Sequence, residues 1–488
     1  MTDDAAGARP GGDMPVEEFR RAGHQIVDWL AAYFAYPERF PVLSRSAPGD
    51  LIRALPPEPP DTGEPFSVIF EDFERLIVPG ITHWNHPGFF AYFAITGSGP
   101  GVLAEMLAAG LNVQAMLWRT SPAATELEEV ALGWLRQLLH LPADFEGVIY
   151  DTASVSVLHA LATAREAAMP DVRTRGAFGR TDLRPVRVYM SAHTHSSAEK
   201  AVLLLGFGRD AIHKVPVDDT LAMRPDALAE AIAADRAAGF LPLAVVATIG
   251  TTSTTAVDPV KAIADVCERE GVWLHVDAAY AGVMAMLPAW RPLFEGCDRA
   301  DSFVVNPHKW LFTPFDLSVL YCRRMPLLRQ AFSLVPDYLQ TTEAAPVKNL
   351  MDTGIQLGRR FRALKLWMLL RYFGAEGIRA RLLHHVDLAR RFAGWVDDAP
   401  RWERLAPVPF SVVCFRHVPE GMSDEQALER HNAAILDAVN ASGEVFLSHT
   451  RLDGRYALRL AIGNLRTEER HVRRAWELLA DAARTVTV

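Results

Sequence analysis

The chain has 488 residues, of which 50% are hydrophobic and 22% are charged, and its formal net charge is -9 at pH 7. A chain of this length and apolar content is expected to form two or three domains, or intertwined segments of a dimer, around a sizeable core. Because no block of lysine and arginine residues occurs of the kind that follows nucleic-acid phosphates, nucleic-acid binding is not expected as a main function.

The N-terminal part of the sequence predicts helices and no sheet. Residues 1–14 are rich in Gly, Asp and Pro and are expected to form a disordered tail. The apolar side chains of residues 15–35 have helical spacing. A Pro-rich stretch at 55–60 interrupts the chain, and a further helix is predicted at about 66–78. We interpret residues 1–98 as a helical arm that packs against another surface, such as a partner subunit.

From about residue 99 to residue 366, short apolar runs alternate with helical segments, which is typical of an α/β domain. The runs that predict strands are residues 147–150, 186–190, 243–249, 272–277 and 302–306. Between the third and the fourth of them, Pro259 and Gly271 mark the start and the end of a helix. These segments form a βαβ unit, and in such a sheet a ligand is expected outside the carboxyl ends of the strands.

The last quarter of the chain, residues 367–488, predicts a smaller α/β domain. Apolar runs at 411–415 and 456–462 predict strands, and a helix is predicted between them at about 423–442. A final helix follows the second strand. No internal repeat is visible in the sequence.

Cysteine usage and the N-terminus indicate the compartment. The four cysteines lie far apart, without a C-x-x-C pair, at Cys267, Cys297, Cys322 and Cys414. This pattern supports neither a disulfide framework nor a metal site of the zinc type, and it fits a reducing compartment. The N-terminus has no apolar leader, and no uninterrupted apolar run reaches membrane-spanning length. We therefore expect a soluble, cytoplasmic protein without a membrane partner.

A lysine and an aspartate follow two neighbouring predicted strands. Lys309 comes shortly after the strand at 302–306, and Asp277 ends the strand at 272–277. A carboxylate and a lysine at one edge of a sheet suit pyridoxal phosphate, because the lysine forms the imine and the carboxylate keeps the pyridine nitrogen protonated. A helix-capping aspartate and a surface lysine would explain either residue alone, but they explain the pair poorly.

The scarcity of lysine strengthens the assignment. Arginine stays protonated and forms no imine under ordinary conditions. Only six of the 50 basic residues are lysines, namely Lys200, Lys214, Lys261, Lys309, Lys348 and Lys365.

Two further strand ends carry polar side chains. The strand at 147–150 leads into Asp151, Thr152, Ala153 and Ser154, and a helix is predicted to begin near Val155. Hydroxyls and free backbone N–H groups at a helix N-terminus form an anion site that suits a cofactor phosphate, although a plain helix cap would show the same pattern. After the strand at 186–190 comes His195, which suits stacking on a cofactor ring or proton transfer. A structural histidine is the alternative.

Several motifs together resemble the group II pyridoxal-phosphate decarboxylases, and specifically the aromatic-L-amino-acid decarboxylases. They are EEFRRAGHQIVDW, PGITHWNHPGFFAYF, SPAATELE, ATIGTT, HVDAAYAG, NPHKW and LGRRFRALKLW, and they extend over nearly the whole chain. The resemblance implies a fold-type I architecture with a mixed, mostly parallel sheet flanked by helices. It implies a helical arm over 1–98, a large cofactor domain over 99–366 and a small domain over 367–488, in an obligate homodimer.

The resemblance also implies roles for individual residues. Lys309 matches the Schiff-base lysine, Asp277 the partner of the pyridine nitrogen, and His195 the histidine that stacks over the cofactor ring. The other implied cofactor contacts are Ala153, Ser154, Thr252, Ala279, Asn306 and His308. Tyr338, in LVPDYLQ, matches the tyrosine of a mobile lid that protonates the substrate carbon after carbon dioxide leaves. The implied substrate pocket consists of Trp84, Phe93, Ile95, Met116, Phe315 and Gly358.

Met116 is expected to reach into the site from the other subunit, and each pocket aromatic would also fit an ordinary core position. Two positions depart from the family pattern. Asp151 and Thr152 stand where the family usually has a Gly-Ser pair, and an acidic residue beside a phosphate is unexpected unless its side chain points away. Ile95 stands where a small polar residue is expected, with Thr96 displaced by one position. Gly358 leaves room for a large ring. In the family a bulkier polar residue at this position accompanies phenolic substrates, so the resemblance implies a preference for tryptophan or phenylalanine.

The sequence therefore predicts decarboxylation of an aromatic L-amino acid to an arylalkylamine. The substrate is expected to be phenylalanine, tyrosine, tryptophan or a hydroxylated relative. An aldehyde synthase, which uses dioxygen after the same decarboxylation, is an alternative, but Tyr338 and His195 argue against it. A catalytically silent cofactor-binding protein is a second alternative, and the presence of Lys309 and Asp277 argues against that one.

Overall fold

The computed structural model describes residues 12–334 and 347–486. Its N-terminal part contains α1 (Val16–Ala35), α2 (Asp50–Ala54) and α3 (Phe66–Asp72), and helical turns continue beyond α3 to Gly80. The helices predicted at 15–35 and 66–78 are therefore confirmed. The predicted N-terminal tail lies outside the described residues up to residue 11. No helix within the two described ranges is long and apolar enough to cross a membrane.

A seven-stranded sheet forms the centre of the protein. In chain order its strands are β1 (Glu146–Tyr150), β2 (Val186–Ser191), β3 (Ile212–Val215), β4 (Leu241–Thr248), β5 (Trp273–Asp277), β6 (Ser302–Val305) and β7 (Ser318–Cys322). Their spatial order is β1-β7-β6-β5-β4-β2-β3. The two antiparallel pairs of this sheet both involve β7, and the other pairs are parallel. This mixed, mostly parallel sheet confirms the predicted fold class and all five predicted strands, and it adds β3 and β7.

Helices cover both faces of this sheet. After α4 (Gly99–Leu111), the helices on these faces are α5 (Pro122–Leu138), α6 (Ala153–Ala168), α7 (Val172–Arg175), α8 (Ser196–Leu204), α9 (Pro225–Ala237), α10 (Val260–Glu270) and α11 (Met325–Phe332). Alternate residues of β4 bury into different apolar clusters, Val245 into one and Val246 into the other. That pattern is expected of a parallel sheet covered on both faces. The helix predicted between Pro259 and Gly271 is confirmed as α10, and Gly271 ends it in the left-handed region at φ 62°.

The C-terminal part is a four-stranded antiparallel sheet with helices. Its strands are β8 (Trp402–Arg404), β9 (Val412–His417), β10 (Ser448–Leu452) and β11 (Arg455–Ala461), in the spatial order β10-β11-β9-β8. The helices are α12 (Ala363–Asp398), which leaves helical geometry at Gly374, α13 (Glu425–Ala441) and α14 (Glu469–Thr485). The predicted strands and helices of this region are confirmed. The domain boundary predicted after residue 366 falls inside α12 and stays a prediction.

Candidate active site

A cavity of about 180 Å³ lies where the carboxyl ends of β1, β2, β4, β5 and β6 meet. This is the edge at which ligands bind in open α/β sheets. The residues that line it are Phe93, Thr152, Ala153, Ser154, His195, Thr248, Gly250, Thr252, Asp277, Ala279, Tyr280, Asn306, His308 and Lys309. All nine residues predicted to contact the cofactor are among them. A larger surface groove, of about 1050 Å³ beside Arg184 and Arg187, contains none of the predicted site residues.

Lys309 enters the cavity from a turn that follows β6. Its backbone N–H donates to the carbonyl of Asn306 at 2.9 Å, and its Nζ lies 5.2 Å from the centre of the Phe93 ring. Burial lowers the pKa of the Lys309 ammonium; Asp277 opposes this effect and Arg459 adds to it. A lysine with a lowered pKa is a better nucleophile at neutral pH, because more of it is the free amine.

Most other lysines differ from Lys309 in their partners. Ion pairs join Lys214 to Glu199, Lys261 to Glu295, Lys348 to Glu129 and Lys365 to Glu105. Within residues 12–334 and 347–486, Lys309 forms no ion pair within 4.0 Å. Lys200 also has no such ion pair among the described residues, but it does not line the cavity. Lys309 does line it, so the geometry agrees with Lys309 as the reactive amine.

Asp277 occupies the end of β5, with only 6% of its surface exposed. Its Oδ1 accepts the backbone N–H of Ala279 at 3.0 Å, which fixes the direction of the carboxylate. On the neighbouring strand β4, Thr248 is its register partner. The Thr248 hydroxyl is buried and has no hydrogen-bond partner among the described residues. Asp277 therefore offers an oriented anion to a group inside the cavity.

His195 caps the N-terminus of α8. Its Nδ1 accepts the backbone N–H of Ser197 at 3.1 Å, so the ring hydrogen lies on Nε2. Burial lowers the pKa of His195, Asp277 raises it, and Lys309 and Lys200 lower it further. The ring is therefore a neutral imidazole at physiological pH, and it can present a flat face and an Nε2–H donor to a ligand.

The turn between β1 and α6 forms the anion-binding end of the cavity. Helix α6 begins at Ala153, two residues earlier than predicted, and its first N–H groups lack intrahelical acceptors. Asn306 faces the same cavity, and its buried Oδ1 has no hydrogen-bond partner in the described chain. Asp151 does not line the cavity. Its carboxylate accepts the N–H of Thr152 at 2.5 Å and the side-chain amide of Gln356 at 3.3 Å, which agrees with the expectation that it points away.

Three stacked aromatic rings form one wall of the site. The Phe93 and Tyr280 rings lie 3.8 Å apart at an interplanar angle of 16°, and the Trp310 ring lies 4.7 Å beyond Tyr280 at 1°. The Tyr280 hydroxyl lies 2.6 Å from the Ser411 hydroxyl, which anchors the middle ring. Phe93 thus presents a fixed apolar surface beside Lys309.

Phe93 is the one predicted substrate residue that lines the cavity in the described chain. Trp84 stacks on Phe89 at 4.3 Å, while the 57%-exposed Phe315 lies 4.9 Å from His308. The other three are a half-buried Ile95, a Met116 whose carbonyl accepts the Met351 N–H at 3.0 Å, and an exposed Gly358. Their substrate roles stay predictions. Tyr338 lies outside the described residues.

Sequence reasoning missed three lining residues, namely Thr248, Gly250 and Tyr280. Each lies within or beside a motif that drew attention to a neighbour. Gly250, in ATIGTT, has φ 89°, and a Cβ atom there would lie 2.7 Å from the Cβ of Ala281. A glycine directly after a buried strand is therefore a signal that the backbone approaches another segment closely.

These residues fit pyridoxal phosphate. The cavity combines an amine of lowered pKa, an oriented carboxylate, a neutral imidazole and a helix N-terminus. The unpartnered polar atoms of Thr248 and Asn306 are groups that a polar ligand would satisfy. Fold and site together define a fold-type I pyridoxal-phosphate enzyme.

Known proteins extend this assignment. Residues 48–418 match the family model described as the pyridoxal-dependent decarboxylase conserved domain. The chain is 41% identical to phenylacetaldehyde synthase of Arabidopsis thaliana, over 96% of each chain. It is 40% identical to tryptophan decarboxylase 2 of Oryza sativa subsp. japonica, over 97% of this chain and 96% of that relative. The crystal structure of Oryza sativa TDC with PLP and tryptamine has a TM-score of 0.92 and 37% identity, over 96% of this chain and 98% of that one. The chain belongs to the pyridoxal-dependent decarboxylase family.

Proposed function

We propose that this protein uses pyridoxal phosphate to decarboxylate aromatic L-amino acids to arylalkylamines and carbon dioxide. The observation that best supports this proposal is the cavity lined by Lys309, Asp277 and His195. The ring of Phe93, which stacks on Tyr280, lines the same cavity. The relatives named as tryptophan decarboxylase and phenylacetaldehyde synthase support an aromatic substrate. Gly358 favours tryptophan or phenylalanine within that class.

When bound, the cofactor supplies an electron sink for the pair of electrons that the departing carboxyl group leaves behind. In the proposed mechanism, Lys309 holds the cofactor covalently, and its lowered pKa keeps the amine available. Asp277 holds a proton at the pyridine nitrogen, which strengthens the electron sink. The N-terminus of α6 holds the phosphate through backbone N–H groups at Ala153 and Ser154.

The remaining side chains orient the reactants and exclude water. The neutral ring of His195 stacks on the cofactor, and Thr252 and Ala279 bound the same space. Phe93 places an apolar surface beside the reacting groups, and the Tyr280 stack keeps it in place. We assign to Tyr338 the delivery of a proton to the substrate α carbon after carbon dioxide has left.

A homodimer is part of the proposal. Two helices expose apolar side chains of a kind that a monomer rarely leaves in contiguous patches: Val16, Phe19, Ile26 and Val27 on α1, and Leu103, Met106, Leu107 and Leu111 on α4. A second copy of the chain that covers these faces would also bring segments such as the one around Met116 towards a neighbouring cavity. The exposed Phe315 ring would then be covered as well.

An aldehyde synthase is the second candidate, because a phenylacetaldehyde synthase is among the relatives at 41% identity. The two activities share the release of carbon dioxide and differ in the product. The test measures carbon dioxide release from phenylalanine, tyrosine and tryptophan, with amine, aldehyde, ammonia and peroxide followed in parallel. Amine without peroxide supports the decarboxylase, equal amounts of aldehyde, ammonia and peroxide support the synthase, and no carbon dioxide from any of the three contradicts both.

A further inference from the structure

The carboxylate of Asp151 occupies two hydrogen-bond donors of Thr152, a residue that lines the cavity at its anion-binding end. Its Oδ1 accepts the backbone N–H of Thr152 at 2.5 Å and the Thr152 hydroxyl at 3.1 Å. Thr152 itself lines the cavity, directly before the first residue of α6. A donor that is engaged by a carboxylate is not free for a phosphate oxygen, because each N–H or O–H carries one hydrogen.

The position of Asp151 also matters electrostatically. The positive end of a helix stabilises nearby anions, and the carboxylate of Asp151, two residues before the start of α6, offsets part of that favourable potential. Of the side chains that line the cavity in the described chain, Lys309 is the only lysine or arginine. A phosphate at this end is therefore held by backbone dipoles and hydroxyls, without a guanidinium to outweigh a neighbouring carboxylate.

The tie to Gln356 holds the carboxylate in this position. The Gln356 side-chain amide donates to Oδ2 of Asp151 at 3.3 Å. The preceding residue, Tyr150, donates its hydroxyl to the carbonyl of Thr353. Two consecutive residues at the end of β1 are thus bound to the segment 353–356, so the Asp151 side chain is unable to swing away freely when a second anion arrives.

We propose that Asp151 is a built-in competitor of the cofactor phosphate, and that its negative charge weakens the binding of pyridoxal phosphate. The inference rests on the proposed function, in that it takes pyridoxal phosphate as the ligand of this cavity. Loss of the cofactor is then easier in this chain than in one with a neutral residue at position 151. The effect acts on the phosphate group and not on the pyridine ring.

The experiment compares two ligands that differ in the phosphate alone. Apoprotein is prepared from the wild type, Asp151→Asn and Asp151→Ser, and each is titrated with pyridoxal phosphate and with pyridoxal, with cofactor absorbance and protein fluorescence as readouts. Asp151→Asn keeps an oxygen that accepts from Thr152 and removes the charge, whereas Asp151→Ser also frees the Thr152 donors. Asp226→Asn, the same change in the exposed first turn of α9, is the matched control.

Both Asp151 variants are expected to bind pyridoxal phosphate about tenfold more tightly than the wild type, and pyridoxal with unchanged affinity. Inorganic phosphate should also compete with pyridoxal phosphate more strongly in these variants, and Asp226→Asn should behave as the wild type. Unchanged or weaker binding of pyridoxal phosphate by Asp151→Asn, or an equal gain for pyridoxal, overturns the inference. Pyridoxal binding doubles as the test of folding. A wild type that binds neither ligand contradicts the proposed function instead.

Discussion

The Nζ atom of Lys309 lies 5.2 Å from the centre of the Phe93 ring, and that ring stacks on Tyr280 at 3.8 Å. The lysine therefore has an apolar ring beside it in a cavity that the carboxylate of Asp277 also lines. Removal of water from an ammonium group disfavours its charged form. Burial is accordingly the main cause of the lowered pKa of Lys309.

Covalent labelling is expected at Lys309. Borohydride reduction of the loaded protein, followed by peptide mapping, should place the pyridoxyl group on Lys309, because no other lysine of the described chain lines the cavity. The variant Lys309→Ala should retain no label, and Lys200→Arg should be labelled as the wild type is. A pyridoxyl group on any other lysine of the wild type would contradict the assigned site.

In Asp277→Ala, the rate of decarboxylation should fall far more than the affinity for the cofactor. Without the carboxylate, the pyridine nitrogen is less protonated and the electron sink is weaker, so we expect turnover to fall at least about a thousandfold, or about 4 kcal/mol. The rate is measured at a cofactor occupancy matched by absorbance. Asp277→Glu, which keeps a carboxylate, should recover part of the loss. Normal turnover in fully loaded Asp277→Ala would remove Asp277 from the mechanism.

The cofactor site was predictable because its residues follow strand ends. Asp277, Asn306 and Lys309 leave β5 and β6, and Ala153 and Ser154 leave β1, so the parallel order of these strands brings them to one edge whatever the details of packing. The strand β3 was missed because its four residues, Ile-His-Lys-Val, are too few to show an alternation of apolar and polar side chains. The antiparallel position of β7 was not predictable, because its pairing with β1 joins segments about 170 residues apart in sequence.

The substrate pocket was less predictable for a physical reason. Apolar residues such as Trp84 and Phe315 carry no chemical signal of their own, and either position fits a core or a surface contact. Trp84 packs with Phe89, while Phe315 remains exposed. The orientation of the Asp151 side chain was equally unpredictable from the sequence, since it depends on the side-chain amide of Gln356, more than 200 residues away.

The buried histidine His159 should make the fold sensitive to acid. Neither of its ring nitrogens has a hydrogen-bond partner in the described chain, and burial lowers its pKa to about 4, with a small opposing effect of Asp151. Between pH 6.5 and pH 4 the unfolded chain binds a proton that the folded chain does not. Stability from this residue is therefore complete above pH 6.5 and falls as the pH is lowered towards 4.

The variant His159→Phe isolates this effect. The free energy of unfolding, measured in urea at pH 7.5 and at pH 5.0, should decrease less on acidification in the variant than in the wild type. The expected difference is about 2 kcal/mol, from about 1.4 kcal/mol per pH unit. Any packing cost of the larger phenylalanine ring lowers the free energy of unfolding equally at both pH values, so it cancels in the difference. The same pH dependence in both proteins would show that His159 is not the titrating group.

Association of two chains is expected to be required for activity. Leu107→Arg places a charge on the exposed apolar face of α4, where Leu107 is 52% exposed. Light scattering should show a monomer at micromolar concentration, with activity reduced about tenfold or more. Phe178→Arg changes a fully exposed apolar residue that lies outside α1 and α4, and it should leave both properties unchanged. A fully active monomer would exclude a site that needs two chains.

Tyr338 distinguishes the two candidate activities, although it lies outside the described residues. Once carbon dioxide has left, the substrate α carbon must receive a proton to give the amine. A phenol with an ordinary pKa near 10 is able to donate that proton. Phenylalanine has nearly the same shape and no proton to give. In Tyr338→Phe the electron-rich α carbon should therefore persist longer, and dioxygen can react with it to give aldehyde, ammonia and peroxide.

We expect Tyr338→Phe to lose amine production and to gain oxygen-dependent aldehyde production from the same aromatic substrates. The measurement is the ratio of amine to aldehyde in air and under nitrogen, with peroxide and ammonia as the balancing products. Under nitrogen the aldehyde should disappear without a return of the amine, because the missing proton donor limits that product. If Tyr338→Phe still makes mainly amine at the parent's rate, Tyr338 is not the donor, and the Nε2–H of His195 or a water molecule takes that place.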